Sequence, residues 1–162
     1  MPISKIILGI DPGTAATGFG VIHQLGSKIA YIASGVIQTK SQQPMEQRLI
    51  IINRQLAKII KKHQPKVAAV EQLFFCRNVK TALAVGQARG VILMTCAQAK
   101  LDLVEFTPLQ IKQSITGYGQ ASKKQVQLMV KQRLSLKTLP KPDDLADALA
   151  IAICCSQTNN WK

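Results

Sequence analysis

The chain has little acidic charge, few aromatic residues and no long apolar run. Only 8 residues of 162 are Asp or Glu, against 21 Lys or Arg, and the net charge is +13. This imbalance favours a polyanionic partner, with nucleic acid ahead of an anionic membrane surface. No uncharged apolar run approaches the ~20 residues that span a bilayer, so we expect no contact with a membrane. The length predicts a single domain over residues 1–162.

The four cysteines, at positions 76, 96, 154 and 155, form neither a C-x-x-C pair nor a metal-ligand spacing. We interpret them as buried, reduced thiols of a cytoplasmic protein. The N-terminal sequence MPISKIILGID has no signal-peptide core and leads directly into a strand pattern. His23 and His63 match no ligand pattern, and we expect both to be ordinary surface or strand residues.

The order of apolar patterns predicts an α/β fold. Three strands joined by short turns are typical of an antiparallel meander, and the uninterrupted run VAAVE is typical of a central strand covered on both faces. The helices follow from apolar residues at helical spacing and from a capping pair, Ser122 with Gln125. We therefore expect a five-stranded mixed sheet with helices on both faces. The predicted strands are Lys5–Asp11, Thr17–Leu25, Ile29–Thr39, Val67–Glu71 and Leu103–Thr107. The predicted helices are Met45–His63, Thr81–Ala99, Pro108–Thr116, one opened by Ser122, and one from about Pro142 to about Cys155.

Four of the eight acids lie where carboxylates are costly to bury. Asp11 ends the first strand and Glu71 ends the run VAAVE, while Asp144 and Asp147 lie three apart on one face of an otherwise apolar helix. A buried carboxylate must shift its pKa, find a partner or bind a metal ion. These residues are therefore candidate ligands.

Each acid also has a structural interpretation when taken alone. Asp11 precedes Pro-Gly and fits a turn, and Asp143 and Asp144 fit the first turn of a helix. Glutamate is a poor cap and a poor strand former, which weakens the structural interpretation of Glu71. For this residue the structural and the functional interpretations are evenly balanced. Two strand-end acids together with D-x-x-D indicate an oxygen-rich site for Mg²⁺ or Mn²⁺. In a strongly basic protein, that site favours two-metal hydrolysis of a phosphodiester.

Three segments, IILGIDPGTAATGFGVI, AAVEQLFFCRNVKTALAVGQARG and DDLADALAIA, resemble the RuvC family of Holliday junction resolvases. The resemblance runs from Ile6 to about Ile153 and implies a ribonuclease H-like fold. It implies a homodimer that makes paired, symmetric nicks in four-way DNA junctions during homologous recombination and repair, together with a branch-migration complex. The implied cofactors are two Mg²⁺ ions per active site, for which Mn²⁺ substitutes.

The resemblance also implies roles for individual residues. The four acidic positions of the family, catalytic and metal-binding, fall on Asp11, Glu71, Asp144 and Asp147. The D-x-A-D-A-L-A spacing selects Asp144 rather than its neighbour Asp143. Lysines with catalytic and DNA-binding roles in the family correspond to Lys112 and Lys123.

Aromatic and basic residues follow Glu71 in the segment QLFFCRNVK. Bases at an opened junction stack on aromatic rings. The resemblance assigns this stacking role to Phe74, and we expect Phe75 to lie in the core. Arg77 and Lys80 are then candidate phosphate contacts.

Lys123 and Lys124 stand in the first turn of a predicted helix, where cations oppose the helix dipole. Their position indicates a phosphate site at the helix N-terminus, although Lys124 also fits a solvated surface lysine. Gly86 and Gly90 lie within a predicted helix. We therefore expect a close approach there, either to the sheet or to a partner helix. The basic residues of the first helix are expected on its solvated face: Arg48, Arg54, Lys58, Lys61 and Lys62.

Two other functions fit parts of the sequence. A non-catalytic nucleic-acid-binding protein of the same fold would share the charge but would not need the full set of acids. An actin-like phosphotransferase would share D-x-G-T, but such enzymes need two lobes around a nucleotide, which 162 residues with a charge of +13 suit poorly.

Overall fold

Five strands form one mixed sheet in the computed structural model of the chain, which describes residues 1–73 and 78–158. Strands β1 (Ser4–Asp11), β2 (Ala16–Leu25) and β3 (Lys28–Gln38) form an antiparallel meander. Strands β4 (Val67–Glu71) and β5 (Asp102–Phe106) extend the sheet on the other side of β1 and run parallel to it. The spatial order is β3-β2-β1-β4-β5, so β1 is central.

Five helices cover the two faces of this sheet, as predicted. One face packs against α1 and α2, and the other against α3, α4 and α5. Within the described ranges, none of the helices has the length and apolar content needed to span a bilayer. The helices are α1 (Met45–His63), α2 (Val79–Gln98), α3 (Pro108–Thr116), α4 (Lys123–Arg133) and α5 (Asp143–Gln157).

Glycines in β1 and β2 let α5 lie directly on the sheet. A Cβ at Gly9 would overlap the carbonyl of Ala148, and a Cβ at Gly18 would overlap the carbonyl of Asp144. Gly18 pairs with Asp11 in the β1–β2 ladder. The first turn of α5 therefore lies against the carboxyl end of β1.

Side-chain caps fix where α2, α3 and α4 begin. The predicted capping box of α4 is confirmed: the Gln125 N–H donates to Ser122 Oγ at 3.2 Å and the Ser122 N–H donates to Gln125 Oε1 at 2.7 Å. Helix α2 begins at Val79, two residues before the predicted start, because the Asn78 side chain accepts the N–H groups of Lys80 and Thr81.

The structure narrows the expectation for the α2 glycines and corrects the one for Arg48. A Cβ at Gly90 would have no heavy atom within 4 Å, so this glycine does not serve a close approach to the sheet. A Cβ at Gly86 would make only an ordinary contact, 3.6 Å from Leu73 Cδ2. Arg48 is half-buried, because its Nε donates to Thr39 Oγ1 at 2.8 Å. The other basic residues expected on the solvated face of α1 are exposed: Arg54, Lys58, Lys61 and Lys62.

The expectation of buried thiols is confirmed for Cys96, Cys154 and Cys155, which are free and buried. Cys76 lies outside the described residues. His23 lies on β2, where its Nε2 is 2.9 Å from Ser4 Oγ, and His63 is the last residue of α1.

Candidate active site

The four predicted acids meet at one edge of the sheet. β1 and β4 are parallel neighbours in which Ile10 pairs with Val70, so Asp11 and Glu71 end the two strands side by side. The close packing of α5 at Gly18 brings Asp144 and Asp147, in the first two turns of that helix, to the same edge. The parallel pairing of β1 with β4 and the close packing of α5 on Gly18 therefore explain why these four acids, far apart in the sequence, converge.

Burial and mutual repulsion make this cluster electrostatically strained. Burial raises the pKa of Asp11 from 3.8 to about 8, with added repulsion from Asp147, Glu71 and Asp144. Burial also raises the pKa of Asp147, to about 6. The pKa of Glu71 is raised by burial and by Asp147, and a hydrogen bond with Asp11 offsets part of that shift. Without a cation, the cluster holds protons more tightly than ordinary carboxyl groups do.

Two predicted lysines lie beside the carboxylates. Lys112 on α3 is half-buried and lowers the pKa of Glu71 and Asp147, while Lys123 at the start of α4 lowers the pKa of these two and of Asp11. Both lysines line a cavity of about 270 Å³ together with Glu71 and Asp147. The cavity brings two cations and two carboxylates to one small volume, which suits a phosphate that must be held against bound cations.

The remaining predicted DNA contacts fall at different places. Lys80 and Lys124 are exposed in the first turns of α2 and α4. Phe74 and Arg77, together with the alternative ring Phe75, lie outside the described residues.

The adjacent acids Asp143 and Asp144 have different surroundings. Asp143 is exposed; its Oδ1 accepts from Gln127 Nε2 at 2.7 Å, and its Oδ2 lies 3.8 Å from Lys123 Nζ. Asp144 is half-buried and raises the pKa of Asp11. Both raise the pKa of Asp147, Asp143 more than Asp144. Asp143 is thus fastened to α4, whereas Asp144 interacts with the strand-end acid.

The donor set fits hard divalent cations. All four converging side chains offer oxygen atoms, the type of ligand that Mg²⁺ and Mn²⁺ prefer. Their raised pKa values mark negative charge that the neighbouring lysines do not fully offset. In residues 1–73 and 78–158, no three acidic, histidine or cysteine side chains are arranged as ready ligands of a single ion.

Arg89 was given no role by the sequence, yet it lies against the site. Its Nε donates to the backbone carbonyl of Glu71 at 3.4 Å. The available signal was an arginine among the small and apolar residues of TALAVGQARGVILM, where a cation needs a partner.

Comparison with known proteins agrees with this geometry. The family model described as "Crossover junction endodeoxyribonuclease RuvC" matches residues 7–155. A protein of that name from Halothermothrix orenii is 54% identical over 149 residues, covering 92% of this chain and 90% of that protein. Another from Natranaerobius thermophilus is 51% identical over 152 residues and covers 94% of each chain.

Solved structures show the same fold. T. thermophilus RuvC in complex with Holliday junction substrate is similar at a TM-score of 0.88 and 36% identity, covering 93% of this chain and 92% of that one. The yeast mitochondrial Holliday junction resolvase Ydc2 is similar at a TM-score of 0.68 and 15% identity, covering 93% of this chain and 77% of that one; this likeness bears on fold alone. The expected ribonuclease H-like fold is confirmed.

Proposed function

Because the chain belongs to the RuvC family of crossover junction endodeoxyribonucleases, we propose that it resolves four-way DNA junctions by paired, symmetric nicks in homologous recombination and repair. The observation that carries the proposal is the convergence of Asp11, Glu71 and Asp147 at one sheet edge of a chain with a net charge of +13. We extend the proposal to a cytoplasmic protein that works with a branch-migration complex.

The carboxylates Asp11, Glu71, Asp144 and Asp147 would hold two divalent ions, Mg²⁺ or Mn²⁺. When bound, such ions activate the attacking water and stabilise the leaving oxygen of the phosphodiester. The carboxyl groups release their protons on binding, because a ligand carboxyl must be ionised.

The basic residues around the carboxylates would hold the DNA. Lys112 and Lys123 would keep the scissile phosphate in place, and the positive end of the α4 dipole would act in the same sense. Phe74 would stack on a base at the opened junction centre. Arg77, Lys80 and Lys124 would contact phosphates further along the DNA.

A gel assay tests this function directly. The protein is incubated with a synthetic four-way junction or with linear duplex of the same sequence, in Mg²⁺, in Mn²⁺ or in EDTA. Symmetric nicks in the junction with either metal, and intact linear duplex, support the proposal. Junction binding without cleavage in either metal would identify a non-catalytic binding protein instead. ATP binding without preference for the junction would favour a phosphotransferase.

Neutralising Lys112 or Lys123 is expected to flatten the salt dependence of junction binding. Each lost phosphate contact changes the slope of log K against log salt by roughly 0.9 on duplex DNA. Lys112→Gln and Lys123→Gln should also slow single-turnover cleavage at saturating junction, because saturation cancels the loss of affinity. The controls are Lys58→Gln and Lys61→Gln on the exposed face of α1, which should change the slope much less. Unchanged single-turnover rates would reduce both lysines to ordinary DNA contacts.

The proposal includes the homodimer that the family resemblance implies, and the exposed face of α2 supports it. Val79, Leu83 and Met94 are 80%, 65% and 48% exposed, and with Gly90 they form one stripe along the helix. A Cβ at Gly90 would meet open space, so packing within the chain does not require a glycine here. Without a side chain, Gly90 leaves this part of the stripe flat. An apolar stripe beside a small residue suits close packing against the same helix of a second copy.

Leu83→Glu is therefore expected to convert the protein to a monomer, because a buried carboxylate at the interface has no partner. Sedimentation velocity at micromolar concentration measures this. On a cruciform plasmid the variant should give singly nicked circles in place of linear product. Leu128→Glu is the matched control: Leu128 is 47% exposed but lies on α4. A dimeric Leu83→Glu beside a monomeric Leu128→Glu would move the interface to α4.

A further inference from the structure

Arg89 fastens α2 to two strands at the catalytic edge. Its Nε donates to the Glu71 carbonyl at 3.4 Å, and its guanidinium forms an ion pair with the Glu105 carboxylate on β5. The Arg89 side chain is 18% exposed, so solvent screens these interactions only in part. One side chain thereby joins the last residue of β4 to the neighbouring strand and to the helix above them.

Arg89 also borders the segments that leave the catalytic edge. With Pro12, Gln72 and Pro108 it lines a cavity of about 200 Å³ beside Glu71. Pro12 follows Asp11, Gln72 follows Glu71, and Pro108 begins α3, the helix that carries Lys112. Arg89 thus lines the same cavity as residues that directly follow two of the proposed metal ligands and begin the helix of Lys112.

The peptide that joins Glu71 to Gln72 is held from two sides at the end of the β4–β5 ladder. Glu71 pairs with Phe106, and the Gln72 N–H donates to the Phe106 carbonyl at 2.8 Å; β4 ends at Glu71. The contact from Arg89 holds the Glu71 carbonyl from the α2 side. A rotation of this peptide would swing the Glu71 carboxylate away from Asp11, which ends the parallel neighbouring strand.

We propose that Arg89 is a positioning residue for Glu71: by holding the Glu71 carbonyl, it keeps that carboxylate in the metal-binding arrangement. The inference rests on the proposed nuclease function. It assigns to Arg89 no contact with DNA or metal. The competing explanation is that Arg89 and Glu105 form an ion pair that stabilises the fold and nothing more.

The test compares Arg89→Met with a matched arginine variant. Arg133 also donates to backbone carbonyls, those of Ser114 and Ile115 at 3.4 and 3.3 Å, but on the far end of α4 from Lys123. Mn²⁺ binding to the DNA-free protein is followed by the electron paramagnetic resonance signal of free Mn²⁺. Single-turnover cleavage at saturating junction and thermal unfolding are measured in parallel.

Arg89→Met should weaken Mn²⁺ binding and slow cleavage by roughly 10-fold or more, the scale reported for groups that orient metal ligands. Junction affinity in EDTA should stay unchanged. Arg133→Met should lose thermal stability yet keep wild-type Mn²⁺ affinity. Glu105→Gln should have a smaller effect on Mn²⁺ affinity than Arg89→Met, because Arg89 still donates to the Glu71 carbonyl.

Wild-type Mn²⁺ affinity in Arg89→Met would overturn the proposal, and so would losses in Arg133→Met that match those of Arg89→Met. If Arg89→Met does not fold, Arg89→Lys decides. A lysine retains the charge opposite Glu105 but lacks the guanidinium fork, so weaker Mn²⁺ binding at a wild-type melting temperature supports the proposal, and wild-type binding overturns it. Failure of the nuclease function would show separately, as wild-type protein that does not cleave the junction.

Discussion

Asp11→Asn, Glu71→Gln and Asp147→Asn are each expected to abolish junction cleavage while leaving junction binding in metal-free buffer intact or tighter. Each change removes a proposed metal ligand, and the loss should exceed the roughly 10–100-fold that follows removal of a group that only orients a ligand. Each change also removes a negative charge near the DNA phosphates, which relieves repulsion. Single-turnover cleavage with Mg²⁺ and binding in EDTA measure the two effects separately.

The neighbouring acids supply the controls for this expectation. Asp102→Asn changes an exposed acid at the other end of β5 and should cut normally. Asp143→Asn should cut nearly normally as well, because Asp143 is held by Gln127 and Lys123 on α4. Asp144→Asn should be inactive. An inactive Asp143→Asn beside an active Asp144→Asn would reverse the assignment within this pair.

The order of the elements could be predicted from the sequence because each one carries its own local pattern. Met45–His63 and Val67–Glu71 have the predicted bounds, since apolar periodicity and flanking prolines define both. The start of α2 was missed by two residues. The Asn78 cap that begins this helix follows a segment whose aromatic and basic residues drew a functional interpretation instead.

The convergence of the acids could be predicted only in part. D-x-x-D on a helix face is a local pattern, whereas the meeting of Asp11 with Glu71 depends on the parallel pairing of β1 with β4, which no short-range pattern encodes. The contact between Arg89 and Glu71 could not be predicted from a local pattern either, because 18 residues separate the two in sequence. The open space at Gly90 could not be predicted either, because it depends on which face of α2 meets the sheet.

Asp11→Asn is also expected to stabilise the metal-free protein. Burial raises the pKa of Asp11 from 3.8 to about 8, so the folded state binds this proton more tightly than the unfolded chain does. The stabilising contribution of the proton is therefore complete below about pH 4 and is lost as the pH rises towards 8. Above that window the wild-type fold carries a half-buried charge that asparagine does not have.

The gain in unfolding free energy of Asp11→Asn over wild type should be small near pH 4 and reach on the order of 1–3 kcal/mol near pH 8. At about 2–4 °C per kcal/mol, the melting temperature should rise measurably. Adding Mg²⁺ should stabilise the wild type and not the variant, because only the wild type binds the ion in its folded state.

Thermal unfolding in EDTA and in Mg²⁺, repeated from pH 4 to pH 8.5, checks each of these expectations. Asp102→Asn, which removes an exposed carboxylate, should follow the wild type throughout. An Asp11→Asn protein no more stable than the wild type at pH 8 would mean that Asp11 carries little unfavourable charge in the folded state. The carboxylate cluster would then lack the electrostatic strain that a bound divalent cation relieves. A gain at pH 8 paired with loss of cleavage would show that this edge of the sheet is destabilised by the same charges that serve its chemistry.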